Sequence, residues 1–348
     1  MIVSFYDRAF KGLQNNASLV VDRDSLSIIK RPAESNSITC KCEAFTEDIQ
    51  PAFLIVKDDH GRYVYGSLAG IPTINGDNVT EITGTDLKMM LNSDVVLNPE
   101  TYGYVTGSGG YIDYVFGEWK SQVNRNYISC ELQFRDYLDG NQVQMDSING
   151  YFPATGKAVY NAWEEIQSYL RYYNLYMDTE IDLKNKKVLF IVGKTMLRER
   201  NIKLWEYGIR DYGKWVASVN ETQGYYVNES TGAWSAGTPW ILTSKNEITQ
   251  NEEKRDIFPV RKKIVTSTES AKEADAQAIE TLLENMYNES IEITESDLVP
   301  EFETKFRVYL KRGDKTPYKE LPCGELRYNA SGLSGFQIGC RYTGAEFI

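Results

Sequence analysis

The chain has 348 residues, 42% hydrophobic and 25% charged, with a net charge of −11 from 49 acidic against 38 basic side chains. That length supports two or more cores, and that balance argues against a basic groove that grips nucleic acid by neutralising its phosphates. A single histidine and five cysteines leave little material for imidazole catalysis or a zinc cage.

The opening MIVSFYDRAFKG has neither a charged lead nor a cleavable apolar core, so no secretory signal is predicted. ASLVVDRDSLSIIKRP reads as two apolar runs around Asp22, Arg23, Asp24 and Ser25, and SITCKCEAF alternates Ile38, Cys40, Cys42 and Ala44 on one face. Cys40 and Cys42, two apart on one strand, are poorly placed to bridge. With Cys130, Cys323 and Cys340 they are expected to be free thiols of a protein assembled in a reducing cytoplasm. VKDDHGRYVYG carries the sole histidine, His60, beside Asp58 and Asp59. PAFLIV before it and RYVYGSLAGI after it read as strands, and Gly61 suits a positive φ, so the motif is a hairpin turn rather than a metal site. TEITGTDLKMMLNSDVVL holds a short helix with Thr85 as its N-cap and Leu87, Met90 and Leu91 on one side. Many strands at close spacing suggest a barrel or sandwich.

NPETYGYVTGSGGYIDYV changes the texture. No strong strand precedes its glycines, no helix is expected to follow, and the third glycine of a dinucleotide loop would fall at Ile112, so the stretch reads as a mobile connector. Its functional version is a hinge or gating loop made of Tyr102, Gly103, Tyr104, Gly107, Gly109 and Gly110. YISCELQFRDYL is a strand. PATGKAVYNAWEEIQSYLRYYN is a helix with Val159, Trp163, Ile166 and Leu170 as its apolar stripe. EIDLKNKKVLFIVG is a hairpin turned at Lys184 and Asn185. Gly193, Lys194 and Thr195 resemble the end of a phosphate loop, but the required earlier glycine is Val188, in mid-strand. The carboxylates of Glu164 and Glu165 lie on a helix face expected to be solvated, and the tyrosines from Tyr169 to Tyr176 are expected to cover a sheet or meet neighbouring subunits rather than stack on sugar.

IKLWEYGIRDYGKWVASVNETQGYYVNESTGAWSAGTPWIL reads as further strands, with YYVNESTGAW a hairpin. RDIFPVRKKIV leads into a helix capped by the box Thr266-x-x-Glu269, with Ala271, Ala274, Ala278, Leu282 and Met286 at helical spacing. FETKFRVYLKRGDK and ELRYNASGLSGFQIGCRYTGAEF return to strands. No apolar run approaches the ~20 residues of a membrane span.

The order of FYDRAFKGLQ, GRYVYGSLAGI with EITGTDLKMMLNSDVVL, RDIFPVRKKIVTSTESAKEADAQAIETLLENMYNESIEI and YLKRGDKTPYKELPCGEL resembles the tail-hub proteins of siphophages, also called the tail-associated-lysin-like or baseplate hub family. Each motif is weak alone; their order covers nearly the whole chain. The resemblance implies an α+β, predominantly β fold with two β-barrel domains and α/β insertions. The first barrel is placed at 1–97, an α/β domain at 98–195, the second barrel at 196–245 and 300–348, and a helix-containing insertion at 246–299. It implies a homotrimeric ring that closes the tail tube at the baseplate, attaches to a hexamer of the distal tail protein and gates DNA passage without binding DNA specifically. The tape measure protein and a receptor-binding protein are further candidate partners. The place implied is the virion tail tip, after assembly in the bacterial host cytoplasm. A C-terminal lysin extension is not expected after Ile348, and no catalytic, cofactor or metal residue is assigned, so the chain is expected not to be an enzyme. The alternative reading is a carbohydrate-active β-rich enzyme or lectin.

Overall fold

The computed structural model of the chain describes residues 2–13, 19–20, 22–43, 51–70, 73–74, 79–97, 110–134, 159–172, 175–195, 197–228, 230–244, 247–268, 270–285, 288–295, 298, 300–309, 318–339 and 345–347. Its frame is a 15-stranded sheet built from both ends of the chain. In the first half, strand Ile2–Tyr6 pairs with Phe53–Lys57, which pairs with Tyr63–Ala69, then Val79–Thr85, Ser37–Glu43 and Ser27–Lys30, all antiparallel. The second half runs from Tyr318–Asn329 to Gly332–Ile338, Asn288–Glu295, Gly208–Ala217 and Ala345–Phe347. A branch adds Thr304–Tyr309 and, parallel to it, Arg198–Lys203.

Alternation drives each half to curl around its own apolar face. The first core gathers Val3, Phe5, Ile28, Ile38, Cys40, Cys42, Leu54, Val56 and Ile82. The first half returns on itself where Asp22 N donates to Lys41 O at 2.8 Å. The second core gathers Ile202, Ile291, Ile293, Phe306, Val308, Cys323, Phe336 and Ile338. The two cores lie on two halves of one continuous sheet, and Asn288–Glu295, expected in the insertion, is a strand of the second half. Their link is Ser27–Lys30 against Tyr318–Asn329, with Ile29 opposite Arg327. The fold is predominantly β with α/β insertions, as expected.

The hairpin at Asp58 forms as a turn. Gly61 takes φ +77°, and Asp58 Oδ1 accepts from the amides of His60 at 2.9 Å and Arg62 at 2.8 Å. Other boundaries move. The short helix is a 3-10 turn, Leu87–Leu91, capped by Asp86 rather than Thr85. Thr85 is held in the ladder opposite Ser37 and Leu68, and the aspartate accepts from Lys88 N at 3.0 Å. A helix does follow the glycine-rich stretch: α1, Gly110–Trp119. Its Tyr111, Ile112, Val115, Phe116 and Trp119 are all buried, and that burial outweighs the poor helix propensity of its first residue. The next helix, α2, is Ala162–Tyr172. Val159 belongs instead to strand Val159–Asn161, paired with Asp94–Val96, and is 54% exposed. Asn161 sets the boundary because its Oδ1 accepts from the amides of Trp163 and Glu164, an N-cap arrangement. Trp163, Ile166 and Leu170 keep their places in the core.

α1 and α2 share a core with a three-stranded sheet in which Lys187–Lys194 lies between Cys130–Phe134, parallel, and Leu175–Asp182, antiparallel. Phe116 meets Phe190 edge-on at 5.4 Å. A five-stranded sheet centres on Glu221–Val227, with Trp234–Ala236 and Trp240–Leu242 on one side and Lys262–Ser267, parallel, on the other. Helix α3, Ala271–Glu284, covers one face. Its cap is Ser270, whose Oγ accepts from Glu273 N at 3.1 Å. The expected cap, Thr266, is held in the strand opposite Tyr225. Ala274, Ala278 and Leu282 are buried as the spacing implied, Ala271 is exposed, and Met286 lies outside the described residues. Leu282 and Leu283 extend the core of α1 and α2.

Candidate functional site

The most heavily built polar region lies where the two sheet halves and the α/β insertion meet. It starts at Lys88 and Asp86, both with no exposed surface. The Lys88 ammonium lies 3.2 Å from Asp86 Oδ2. It also donates to Arg31 O at 3.1 Å, Met177 O at 3.3 Å, Asn36 Oδ1 at 3.5 Å and Glu34 O. The Trp163 ring lies 5.8 Å from it. Asp86 Oδ2 accepts from Asn36 N at 2.6 Å. A buried charge is tolerable only when its partners are this complete. One lysine thereby ties the loop at residues 31–36, the 3-10 turn, α2 and strand Leu175–Asp182.

The seam continues through Lys30, whose Nζ donates to Asp178 Oδ2 at 2.7 Å. Burial disfavours the Asp178 carboxylate, but the Lys30 charge and hydrogen bond outweigh it, leaving the carboxyl below its ordinary range. Burial likewise opposes the Lys30 ammonium, and Asp178 outweighs that burial, so the amine is held above its ordinary value. Arg31 Nε donates to Glu325 Oε2 at 2.9 Å, and Arg327 Nε to Glu325 Oε1 at 2.5 Å. Arg327 also pairs with Glu292. The charges therefore run from the first half (Lys30, Arg31, Asp86, Lys88) through the insertion (Asp178) to the second half (Glu292, Glu325, Arg327). A second tie joins Tyr176, on the insertion, to Glu303, before strand Thr304–Tyr309. Burial raises the Glu303 carboxyl above its ordinary range, and Gly193 is required beside it, since a Cβ there would lie 2.4 Å from the Tyr176 ring.

Each cation named here faces a carboxylate, and Lys88 carbonyl oxygens as well. Gly193 and Lys194 sit in a strand that leads, through Thr195, to Arg198–Lys203, with no phosphate cradle. Tyr169 and Tyr176 are buried and cannot stack on sugar. Glu164 is exposed as expected, but Glu165 is buried and accepts from the Tyr111 hydroxyl at 2.8 Å. Among the described residues no three His, Cys, Asp or Glu side chains group as a metal-binding set. No described helix is long and apolar enough to cross a membrane. Tyr102, Gly103, Tyr104, Gly107 and Gly109 of the expected gating loop lie outside the described residues, and Gly110 is the first residue of α1. None of the charged junction residues was singled out from the sequence. The available signal was Lys88 itself, a lysine flanked by Leu87, Met89, Met90 and Leu91.

No protein-family signature matches the chain, and no curated protein sequence does. Solved structures do. The tail protein of prophage MuSo2 from Shewanella oneidensis has a TM-score of 0.52 at 10% identity, covering 98% of each chain. A tail protein from Neisseria meningitidis gives 0.51 at 12% identity, covering 97% of this chain and 95% of that one. The prophage tail protein gp18 from Listeria monocytogenes gives 0.50 at 10% identity, covering 98% and 94%. The chain therefore has the fold of prophage tail proteins, as the order of its motifs implied.

Proposed function

We propose that this chain is a structural tail-hub protein of a long-tailed phage or prophage, acting as a homotrimer at the distal end of the tail tube. The observation that carries the reading is the likeness to prophage tail proteins over nearly the full length of both chains. The charged junction supports it, since it couples the two sheet halves and the insertion as one mechanical unit rather than preparing a reaction. In this reading three chains, each with two related β halves, present a pseudo-sixfold surface to a hexameric distal tail protein. The tape measure protein and a receptor-binding protein are neighbours at the tail tip, and assembly takes place in the host cytoplasm. The net charge of −11 suits a wall that DNA slides past without sticking. The gate is assigned to the glycine-bearing stretch from Tyr102 to Gly110 on its sequence alone. Deleting the gene from its phage or prophage tests the whole reading. Particles with unfinished tails, restored by the gene supplied in trans, are expected; complete infectious particles without the protein would overturn it. Gly107→Ala with Gly109→Ala tests the gate: tails should assemble but eject DNA poorly, and normal infection would remove the gate from this loop.

A further inference from the structure

Three polar atoms sealed inside the first half have no hydrogen-bond partner among the described residues: Asn36 Nδ2, the Tyr65 hydroxyl and the Ser67 hydroxyl. Their residues are 4%, 2% and 0% exposed. A buried polar group left unpaired forfeits its hydration with nothing in return, so three at one place require a ligand. The ladder puts them at one end of the first core. Asn36 precedes Ser37, which faces Thr85, and Ser67 precedes Leu68, which faces the same Thr85 from the other side. Asn36 and Ser67 therefore flank Asp86. Ile38, two after Asn36, and Tyr65, two before Ser67, both belong to the first core, so alternation turns Asn36 and Ser67 toward it as well. Gly84 lies beneath Ser67, since a Cβ there would be 2.1 Å from Ser67 Oγ. The Tyr65 hydroxyl faces Asn36.

The groups around these atoms are already engaged. Asn36 Oδ1 accepts from Arg31 N at 2.7 Å and Lys88 Nζ at 3.5 Å, which fixes the amide with Nδ2 turned the other way. Asp86 Oδ1 accepts from Lys88 N at 3.0 Å and Thr179 Oγ1 at 3.4 Å. Its Oδ2 accepts from Asn36 N at 2.6 Å and lies 3.2 Å from the Lys88 ammonium. That leaves the carboxylate no lone pair for the Tyr65 proton. Burial keeps the phenol protonated far above its ordinary range, so it stays a donor. The ligand must accept from an amide N–H and exchange hydrogen bonds with two hydroxyls. Lys88 and the Asn36 N–H disfavour a cation, and the Asp86 carboxylate disfavours an anion. A small neutral molecule with donors and acceptors remains, and water is the one that fits a packed sheet interior.

We infer that an ordered water molecule is bound at this end of the first core, accepting from Asn36 Nδ2 and sharing hydrogen bonds with the Tyr65 and Ser67 hydroxyls. It links the interior of the first half to the charged junction through Asn36, and it belongs to the single chain whatever its oligomeric state.

A high-resolution crystal structure of the full chain tests it. A density peak about 2.7–3.2 Å from all three atoms is expected, and a clear map without that peak would overturn the site. Denaturant unfolding of Tyr65→Phe, Ser67→Ala and the double variant gives a second reading. A hydroxyl bound to water stabilises the fold, so each single variant should lower the folding equilibrium constant about two- to tenfold. The double should lose less than the product of the two, because both hydroxyls hold the same molecule. Single variants as stable as the unaltered protein, or more so, are what unpaired hydroxyls would give, and they too would overturn the site.

Discussion

Lys88 and Asp86 are sealed from solvent, so neither can fall back on water if the other is lost. Lys88→Met is expected to cost about 3–5 kcal/mol, because it strands a buried carboxylate. Adding Asp86→Asn should recover part of that, which denaturant unfolding of the single and double variants would reveal as a coupling well above experimental scatter. The outer pair has a pH signature. The Asp178 carboxyl is depressed in the fold, so its contribution is present above its ordinary value and is lost as pH falls through the lower folded value. The Lys30 amine is raised, so its contribution is complete below its ordinary value and is lost as pH climbs through the higher folded one. Between those limits the pair should leave stability flat. Asp178→Asn should shrink the acid-side fall, and an acid limb of unchanged depth would show that other carboxylates govern it. Cysteine chemistry is predictable on the same grounds. Cys40, Cys42, Cys130 and Cys323 are free and buried. Burial pushes the Cys40 and Cys130 thiols up to about 12, and Cys323 higher still. Alkylation at neutral pH followed by mass spectrometry should leave these four unmodified until the protein unfolds.

Helix α3 approaches its sheet so closely that a Cβ on Gly224 would lie 2.8 Å from the Ala274 backbone. Backbone cannot swing aside as a side chain can, so Gly224→Ala should cost about 1–3 kcal/mol, read as a fall in melting temperature. At α2 the determinant is the cap: Asn161→Ala should cost about 1 kcal/mol and fray the first turn. These two elements also mark what could be read from the chain. The apolar spacing of Trp163, Ile166 and Leu170 revealed α2, yet Val159 fitted the same period and belongs to a strand, because pairing with Val96 decides its state and periodicity carries no record of that partner. α1 was hidden by the glycines before it, although Tyr111, Ile112, Val115, Phe116 and Trp119 hold a helical face. For α3 two boxes lay four residues apart, Thr266-x-x-Glu269 and Ser270-x-x-Glu273, and the parallel strand to Ser267 selected the second. The Asp58 hairpin was legible in full, since aspartate and glycine at a turn act on their immediate neighbours. The junction was not, because Lys30, Asp178 and Glu325 are far apart in sequence and meet only once the insertion is folded onto both halves.

Among the described residues the protein is two sheet halves joined by the pairing of Ser27–Lys30 with Tyr318–Asn329, with the first insertion held against them by buried charge and α3 joined to the same apolar core. Composition and motif order were informative where single motifs were weak: the order of the motifs fits a fold shared with prophage tail proteins at about 10% identity. The central claim is that this chain works as a closed ring of three. Electron microscopy of the purified protein at micromolar concentration tests it most directly. The account predicts class averages with threefold symmetry and a central opening, while single, unassociated particles throughout would contradict it.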